Sequence, residues 1–95
     1  MLEPIHVDGT HAKHSVLLYT LSTCGWCRKT KALLQELGVA YDYVDVDLQE
    51  DANKDLVREE VLKWNPASSF PTVVVDGKDA FVGFQEDRLR DLAKE

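Results

Sequence analysis

Near its start the chain reads Ser15-Val16-Leu17-Leu18-Tyr19-Thr20-Leu21-Ser22-Thr23-Cys24-Gly25-Trp26-Cys27. The part from Ser15 to Leu21 is continuously apolar and β-branched, which predicts a strand buried on both faces, as in a parallel sheet. Ser22 and Thr23 are residue types that cap helices, so a helix is expected to follow at once. In this helix the residues at helical spacing are Thr30, Leu33, Leu34 and Leu37, and Gly38 is expected to end it.

The rest of the chain predicts three more strands and two more helices. Strands are expected over 39–46, 71–75 and 80–82, and helices over 51–64 and 85–93. The first strand, the first helix and the second strand form a βαβ unit with parallel strands. Asp76-Gly77 predicts a hairpin between the last two strands. The buried stripe of the second helix is expected to be Leu56, Val57, Val61 and Trp64.

Composition and charge set the class of the protein. The chain has 95 residues, a formal net charge of −6, 44% hydrophobic residues and 29% charged residues, which predicts one soluble globular domain. Residues 1–14 lack a hydrophobic period and are expected to be a flexible N-terminal arm before a domain over 15–95. No run reaches the roughly 20 apolar residues that span a bilayer, and no secretory signal is apparent. We therefore expect a cytoplasmic monomer that binds neither membrane nor nucleic acid.

Cys24 and Cys27 are the two cysteines of the chain, and they form a Cys-x-x-Cys pair. A disulfide within such a pair closes too small a loop to stabilise the fold much. The remaining roles for the two cysteines are thiol–disulfide chemistry or half of a metal site. A closed zinc site needs four ligands, and the histidines that could complete one all lie in the N-terminal arm: His6, His11 and His14. We interpret these as solvated residues and expect no metal.

The position of Cys24 at the start of a helix predicts its chemistry. Unpaired N–H groups there favour an anion, so the Cys24 thiol should have a pKa below the reference of about 8.5. Only the thiolate attacks disulfides, and Cys27 lies one turn further on the same face. We therefore expect Cys24 to attack a substrate disulfide as the nucleophile and Cys27 to resolve the mixed disulfide. Trp26, beside the thiol, is interpreted as part of a docking surface.

Several motifs in a fixed order carry a family resemblance from Val16 to about Leu92. They are Leu18-Tyr19-Thr20-x-x-Thr23-Cys24-Gly25-Trp26-Cys27, Lys31-x-Leu33-Leu34, Val44-Asp45-Val46-Asp47, Phe70-Pro71-Thr72-Val73 and Gly83-Phe84. With them the chain resembles the glutaredoxin branch of the thioredoxin superfamily. The resemblance implies an α/β thioredoxin fold of the type β-α-β-α-β-β-α. Its four-stranded mixed sheet would have the spatial order 2-1-3-4 and be flanked by three helices.

The same resemblance implies a substrate-binding surface around the cysteines. The family's cis-proline corresponds to Pro71, and the backbone of Phe70 would pair with an extended substrate segment. Gly83 and Phe84, with Trp26, would complete this surface. We expect no cofactor beyond a Cys24–Cys27 disulfide.

The departures from the family pattern bear on the electron donor. Many glutathione-using members carry Lys or Arg where this chain has Leu21, and that cation holds a glutathione carboxylate. The segment Gly83-Phe84-Gln85-Glu86-Asp87 is more similar to that of NrdH-redoxins, which are reduced by thioredoxin reductase and serve ribonucleotide reductase. The resemblance thus implies a dithiol oxidoreductase that reduces protein disulfides and is itself reduced again by a reductase of the thioredoxin-reductase type. A glutathione-dependent glutaredoxin and an iron–sulfur-cluster-binding protein are the alternatives.

Overall fold

A computed structural model of the chain describes residues 4–67 and 69–94, which form five strands, three α-helices and a short 3-10 helix. The strands are β1 (Ile5–Val7), β2 (Val16–Thr20), β3 (Tyr41–Asp45), β4 (Thr72–Val75) and β5 (Asp79–Val82). The helices are α1 (Gly25–Leu37), α2 (Asp51–Trp64) and α3 (Glu86–Asp91), and the 3-10 helix is Val46–Leu48.

All five strands lie in one mixed sheet, in the order β1-β3-β2-β4-β5. β2 is central: it runs parallel to β3 and antiparallel to β4, so that Leu18 faces Tyr43 on one side and Val73 on the other. The four strands expected from the sequence have the order 2-1-3-4, as the resemblance implies. The expected four-stranded sheet is nevertheless wrong, because β1 adds a fifth strand at the β3 edge.

The description of residues 1–14 as a flexible arm also needs correction. Ile5–Val7 pairs antiparallel with β3, and both ring nitrogens of His6 contact carboxylates, Asp42 at 2.6 Å and Asp8 at 2.7 Å. Gly9 packs so closely that a Cβ there would lie 2.5 Å from the backbone nitrogen of Ala40. Backbone pairing of this kind leaves no hydrophobic period in the sequence. Residues 1–3 of the predicted arm and residues 68 and 95 of the predicted domain lie outside the described residues.

The apolar core has two parts, one on each face of the sheet. Leu18 of β2 packs in the part that contains Leu34 of α1 and Leu89 of α3. Tyr19 of β2 packs in the other part, with Val57 and Val61 of α2. The prediction that this strand is buried on both faces is therefore confirmed.

The predicted buried stripe of α2 is wrong for one residue. Leu56 is 50% exposed, whereas Val57 and Val61 are fully buried. Helical spacing alone is ambiguous at a neighbouring pair of apolar residues, and contact with the sheet selects Val57.

Candidate active site

Cys24 is the N-cap of α1, where the chain leaves the central strand β2. Its backbone is extended, with φ −83° and ψ 118°, and its N–H donates to the Leu21 carbonyl over 3.1 Å. The Cys24 Sγ accepts a hydrogen bond from the Cys27 N–H at 3.2 Å. One of the unpaired N–H groups of the first helical turn is thus directed at the sulfur. The strand-to-helix junction predicted from the sequence is confirmed.

The two sulfurs are both free thiols but differ in exposure. Cys24 is partly exposed and Cys27 is buried, with 1% of its surface accessible. The pKa of the Cys27 thiol is raised to about 12, first by burial and then by the neighbouring Cys24, while a backbone hydrogen bond at Leu21 and the charge of Lys31 act in the opposite direction. A buried thiolate lacks hydration, so the proton stays on Cys27 at neutral pH.

A half-buried ion pair lies one helical turn beyond Cys27. The Lys31 Nζ is 3.1 Å from Asp45 Oδ1 and 3.9 Å from the centre of the Tyr43 ring. The same Asp45 oxygen accepts a hydrogen bond from the Thr20 hydroxyl at 2.6 Å. These contacts tie the ends of β2 and β3 to α1, so they fix the scaffold from which Cys24 emerges.

Trp26, which lies between the two cysteines in the sequence, lines an aromatic groove of about 200 Å³ together with Phe70, Gly83 and Phe84. Trp26 is 57% exposed, and its ring centre lies 5.8 Å from that of Phe84. Lys29 sits over the Trp26 ring at 4.5 Å. Four residues expected in the substrate-binding surface, from three separate parts of the chain, therefore line one groove.

Pro71 follows this groove along the chain and holds one wall in place. The Phe70–Pro71 peptide bond is cis, as the resemblance implies for this position. The Pro71 carbonyl accepts a hydrogen bond from the Gly83 N–H at 2.8 Å, and Gly83 has a φ of 86°, a conformation that favours glycine. This bond joins the Phe70–Pro71 loop to the Gly83–Phe84 turn.

A second groove is also lined by Phe70. Its volume is about 290 Å³ and it is lined by Leu21, Val46, Arg58, Val61 and Phe70. It shares Leu21, Val46 and Arg58 with a larger groove of about 500 Å³, to which Lys54 and Asp55 also contribute. Sequence reasoning missed Lys54 and Arg58, although their i, i+4 spacing on α2 places two cations on one helix face.

The histidines considered as metal ligands lie in separate places. His14 Nδ1 contacts Asp76 Oδ2 at 2.8 Å, His6 bridges Asp8 and Asp42, and the backbone of His11 pairs with that of residues 38 and 40. Within residues 4–67 and 69–94, no group of three or more His, Cys, Asp or Glu side chains is arranged to hold a metal ion. In the same part of the chain, no helix combines the length and the apolar character needed to cross a membrane.

Comparison with known proteins identifies the family. The family model described as Glutaredoxin matches residues 16–80. Glutaredoxin 1 of Rickettsia bellii is 36% identical over 83 residues, which are 86% of this chain and 80% of that protein. The glutaredoxin of Methanosarcina mazei has 43% identity and a TM-score of 0.85, covering 97% of this chain and 88% of the other.

A second solved structure is also similar. Methanoredoxin of Methanosarcina acetivorans has 42% identity and a TM-score of 0.83, covering 88% of each chain. These likenesses confirm the thioredoxin-type fold. This protein belongs to the glutaredoxin family and is a thiol–disulfide oxidoreductase whose Cys24 and Cys27 lie next to each other.

Proposed function

We propose that the protein reduces protein disulfides, with Cys24 as nucleophile and Cys27 as resolving thiol. The Cys24 thiolate attacks one sulfur of the substrate disulfide, forming a mixed disulfide and releasing the other sulfur as a thiolate. Cys27 then loses its proton and attacks the Cys24 sulfur, which frees the second substrate thiol. The substrate gains two electrons, and the protein is left with an intramolecular Cys24–Cys27 disulfide.

The difference between the two thiols is the observation that carries this assignment. Cys24 is accessible and accepts the Cys27 N–H at a helix start, a position that favours the thiolate. Cys27 is buried, and burial raises its pKa to about 12. A substrate disulfide can reach Cys24 directly, whereas Cys27 would attack the Cys24 sulfur of the mixed disulfide from inside the protein.

The aromatic groove and the Phe70 backbone support a protein as substrate. Neither the Phe70 N–H nor its carbonyl has a hydrogen-bond partner among residues 4–67 and 69–94. An extended polypeptide offers a donor and an acceptor of its own to such a backbone. Apolar side chains beside the substrate cysteine would contact Trp26 and Phe84. The protein would act as a monomer, with the cysteine pair as its redox centre and no further cofactor.

We propose a reductase of the thioredoxin-reductase type as the electron donor. Leu21 lines the second groove without supplying a cation, so a dianionic tripeptide lacks one charge-assisted contact there, worth about 1.5–3 kcal/mol. A glutathione-dependent reaction is the second candidate, and Arg58 favours it. Arg58 lines both grooves that Leu21 also lines, and its guanidinium would offer a carboxylate the charge-assisted contact that Leu21 does not.

Insulin-disulfide reduction with defined donors tests both parts of the proposal. The wild-type protein should reduce insulin with NADPH and thioredoxin reductase, whereas Cys24→Ser should be inactive. Retained activity of Cys24→Ser would contradict the nucleophile assignment. Turnover with glutathione and glutathione reductase, lost in Arg58→Met, would favour the second candidate.

The absence of a further cofactor needs a separate measurement. Protein purified anaerobically should be colourless and free of iron. Stoichiometric iron with visible absorbance would instead support an iron–sulfur cluster held through Cys24.

A further inference from the structure

Asn65, at the end of α2, is a polar residue in an unexpected environment. It is 5% exposed and forms the C-cap of the helix with φ −146° and ψ 91°. This is extended backbone, so the left-handed conformation that favours Asn at helix ends is not in use here. The reason for an amide at this position must therefore lie in its side chain, since burying one without partners is costly.

The Asn65 side chain is hydrogen-bonded to the loop that leads to the Phe70–Pro71 bond. Its Nδ2 lies 2.9 Å from the Ser69 carbonyl oxygen, 3.2 Å from Ser69 Oγ and 3.2 Å from Thr72 Oγ1. Its Oδ1 accepts the Ala67 N–H at 3.2 Å. The buried Thr72 hydroxyl donates to the same Ser69 carbonyl at 2.8 Å. Two side chains, from α2 and β4, thus converge on one carbonyl oxygen.

The orientation of that carbonyl determines where the next N–H points. Ser69 and Phe70 share one trans peptide group, because the cis bond of this loop is the following one, Phe70–Pro71. In a planar trans peptide the C=O and the N–H point in opposite directions. Holding the Ser69 oxygen toward buried Asn65 and Thr72 therefore turns the Phe70 N–H away from them. Pro71 has no N–H, so Phe70 supplies the donor at this point of the loop.

We propose that Asn65 is a positioning residue for disulfide exchange: with Thr72, it clamps the Ser69 carbonyl so that the Phe70 N–H stays presented to an extended substrate. The inference rests on the proposed pairing of substrate with Phe70. Asn65 touches neither the cysteines nor the aromatic groove in this account. Its effect is on the binding of protein substrates, and the reactivity of the Cys24 thiol is independent of it.

The test compares Asn65→Ala and Thr72→Val with a control on the same helix. Val57 is fully buried and lines none of the three grooves described above, so Val57→Ala destabilises the fold but leaves the clamp intact. We expect Asn65→Ala and Thr72→Val to raise the apparent KM for insulin about tenfold, the effect of one lost hydrogen bond. Their kcat and the rate of Cys24 alkylation by iodoacetamide should match the wild type, and Thr72→Ser should restore the KM.

Two results would overturn the inference about Asn65, and a third would refute the proposed function. An unchanged KM in a folded Asn65→Ala or Thr72→Val protein would overturn the inference. So would an equal rise of KM in Val57→Ala, because stability alone would then account for the effect. If Asn65→Ala does not fold, the KM values of Thr72→Val and Thr72→Ser test the inference in its place. A wild-type protein without insulin-reducing activity would instead refute the proposed function, which keeps the two failures distinct.

Discussion

Replacing one cysteine at a time should reveal a large difference in reactivity between the two thiols. The pKa of Cys27 is raised from an ordinary 9.0 to about 12, and burial is the largest cause of this rise. A rise of about three pKa units leaves about a thousandfold less thiolate at any pH below 9. Because the thiolate is the reactive form, and because Cys27 is also 1% exposed, the remaining thiol of Cys24→Ser should react slowly.

The assay is alkylation by iodoacetamide at pH 7, followed by intact mass. Some of the pKa rise comes from Cys24 itself and disappears in Cys24→Ser. We therefore expect Cys24→Ser to react at least about a hundredfold more slowly than Cys27→Ser. Unfolding in urea should bring the two rates together, which is the control for access. Rates within tenfold of each other in the folded proteins would contradict the proposed difference in thiolate content and access between Cys24 and Cys27.

Three further predictions concern the core, the sheet edge and the groove. Leu18→Ala should lower the free energy of unfolding by about 2–5 kcal/mol, because Leu18 is fully buried between β3 and β4; a loss under 1 kcal/mol in urea titrations would contradict the packing described. Hydrogen bonds to Asp42 and then Asp8 raise the pKa of His6, so its stabilising contribution is full below about pH 6.5 and is lost as the pH rises through the raised value. The urea midpoint should fall more between pH 6 and 8 in the wild type than in His6→Gln, and equal falls would argue against this account. Trp26→Ala should raise the KM for insulin about fivefold or more with little change in kcat, and an unchanged KM would remove Trp26 from the docking surface.

The helices and central strands were predictable because their signals are local. The predicted range 51–64 matches α2, since Asn65-Pro66 ends the helical pattern. Gly38 ends α1 with a φ of 73°, and the Asp76-Gly77 turn has the two positive φ values, 55° and 63°, that its hairpin type needs. Each of these features depends on a few neighbouring residues.

Features that depend on distant partners were missed or misjudged. β1 owes its structure to pairing with β3 and to the contacts of His6 with Asp42, and no hydrophobic period marks it. The exposure of Leu56 is decided by which side of α2 meets the sheet. The cis geometry of Pro71 followed from family resemblance, since the sequence before it has no signal for that isomer.

The same division holds within the site. The cysteine pair and its position at a helix start follow from local sequence. The aromatic groove joins Trp26, Phe70 and Phe84, which motifs identified one by one but whose meeting depends on the folded sheet. Arg58 and Asn65 belong to no motif, and their roles become visible through the groove and the loop that they contact.

Trapping the covalent intermediate shows which of the two cysteines attacks the substrate disulfide. Reduced Cys27→Ser is mixed with an excess of a protein disulfide, quenched with acid and analysed by non-reducing intact mass. We predict a one-to-one mixed disulfide through Cys24 that persists, because the thiol that would resolve it is absent. The wild type should instead pass to the internal Cys24–Cys27 disulfide and release reduced substrate. If Cys27→Ser forms no adduct while Cys24→Ser does, the nucleophile is Cys27 and the account is wrong.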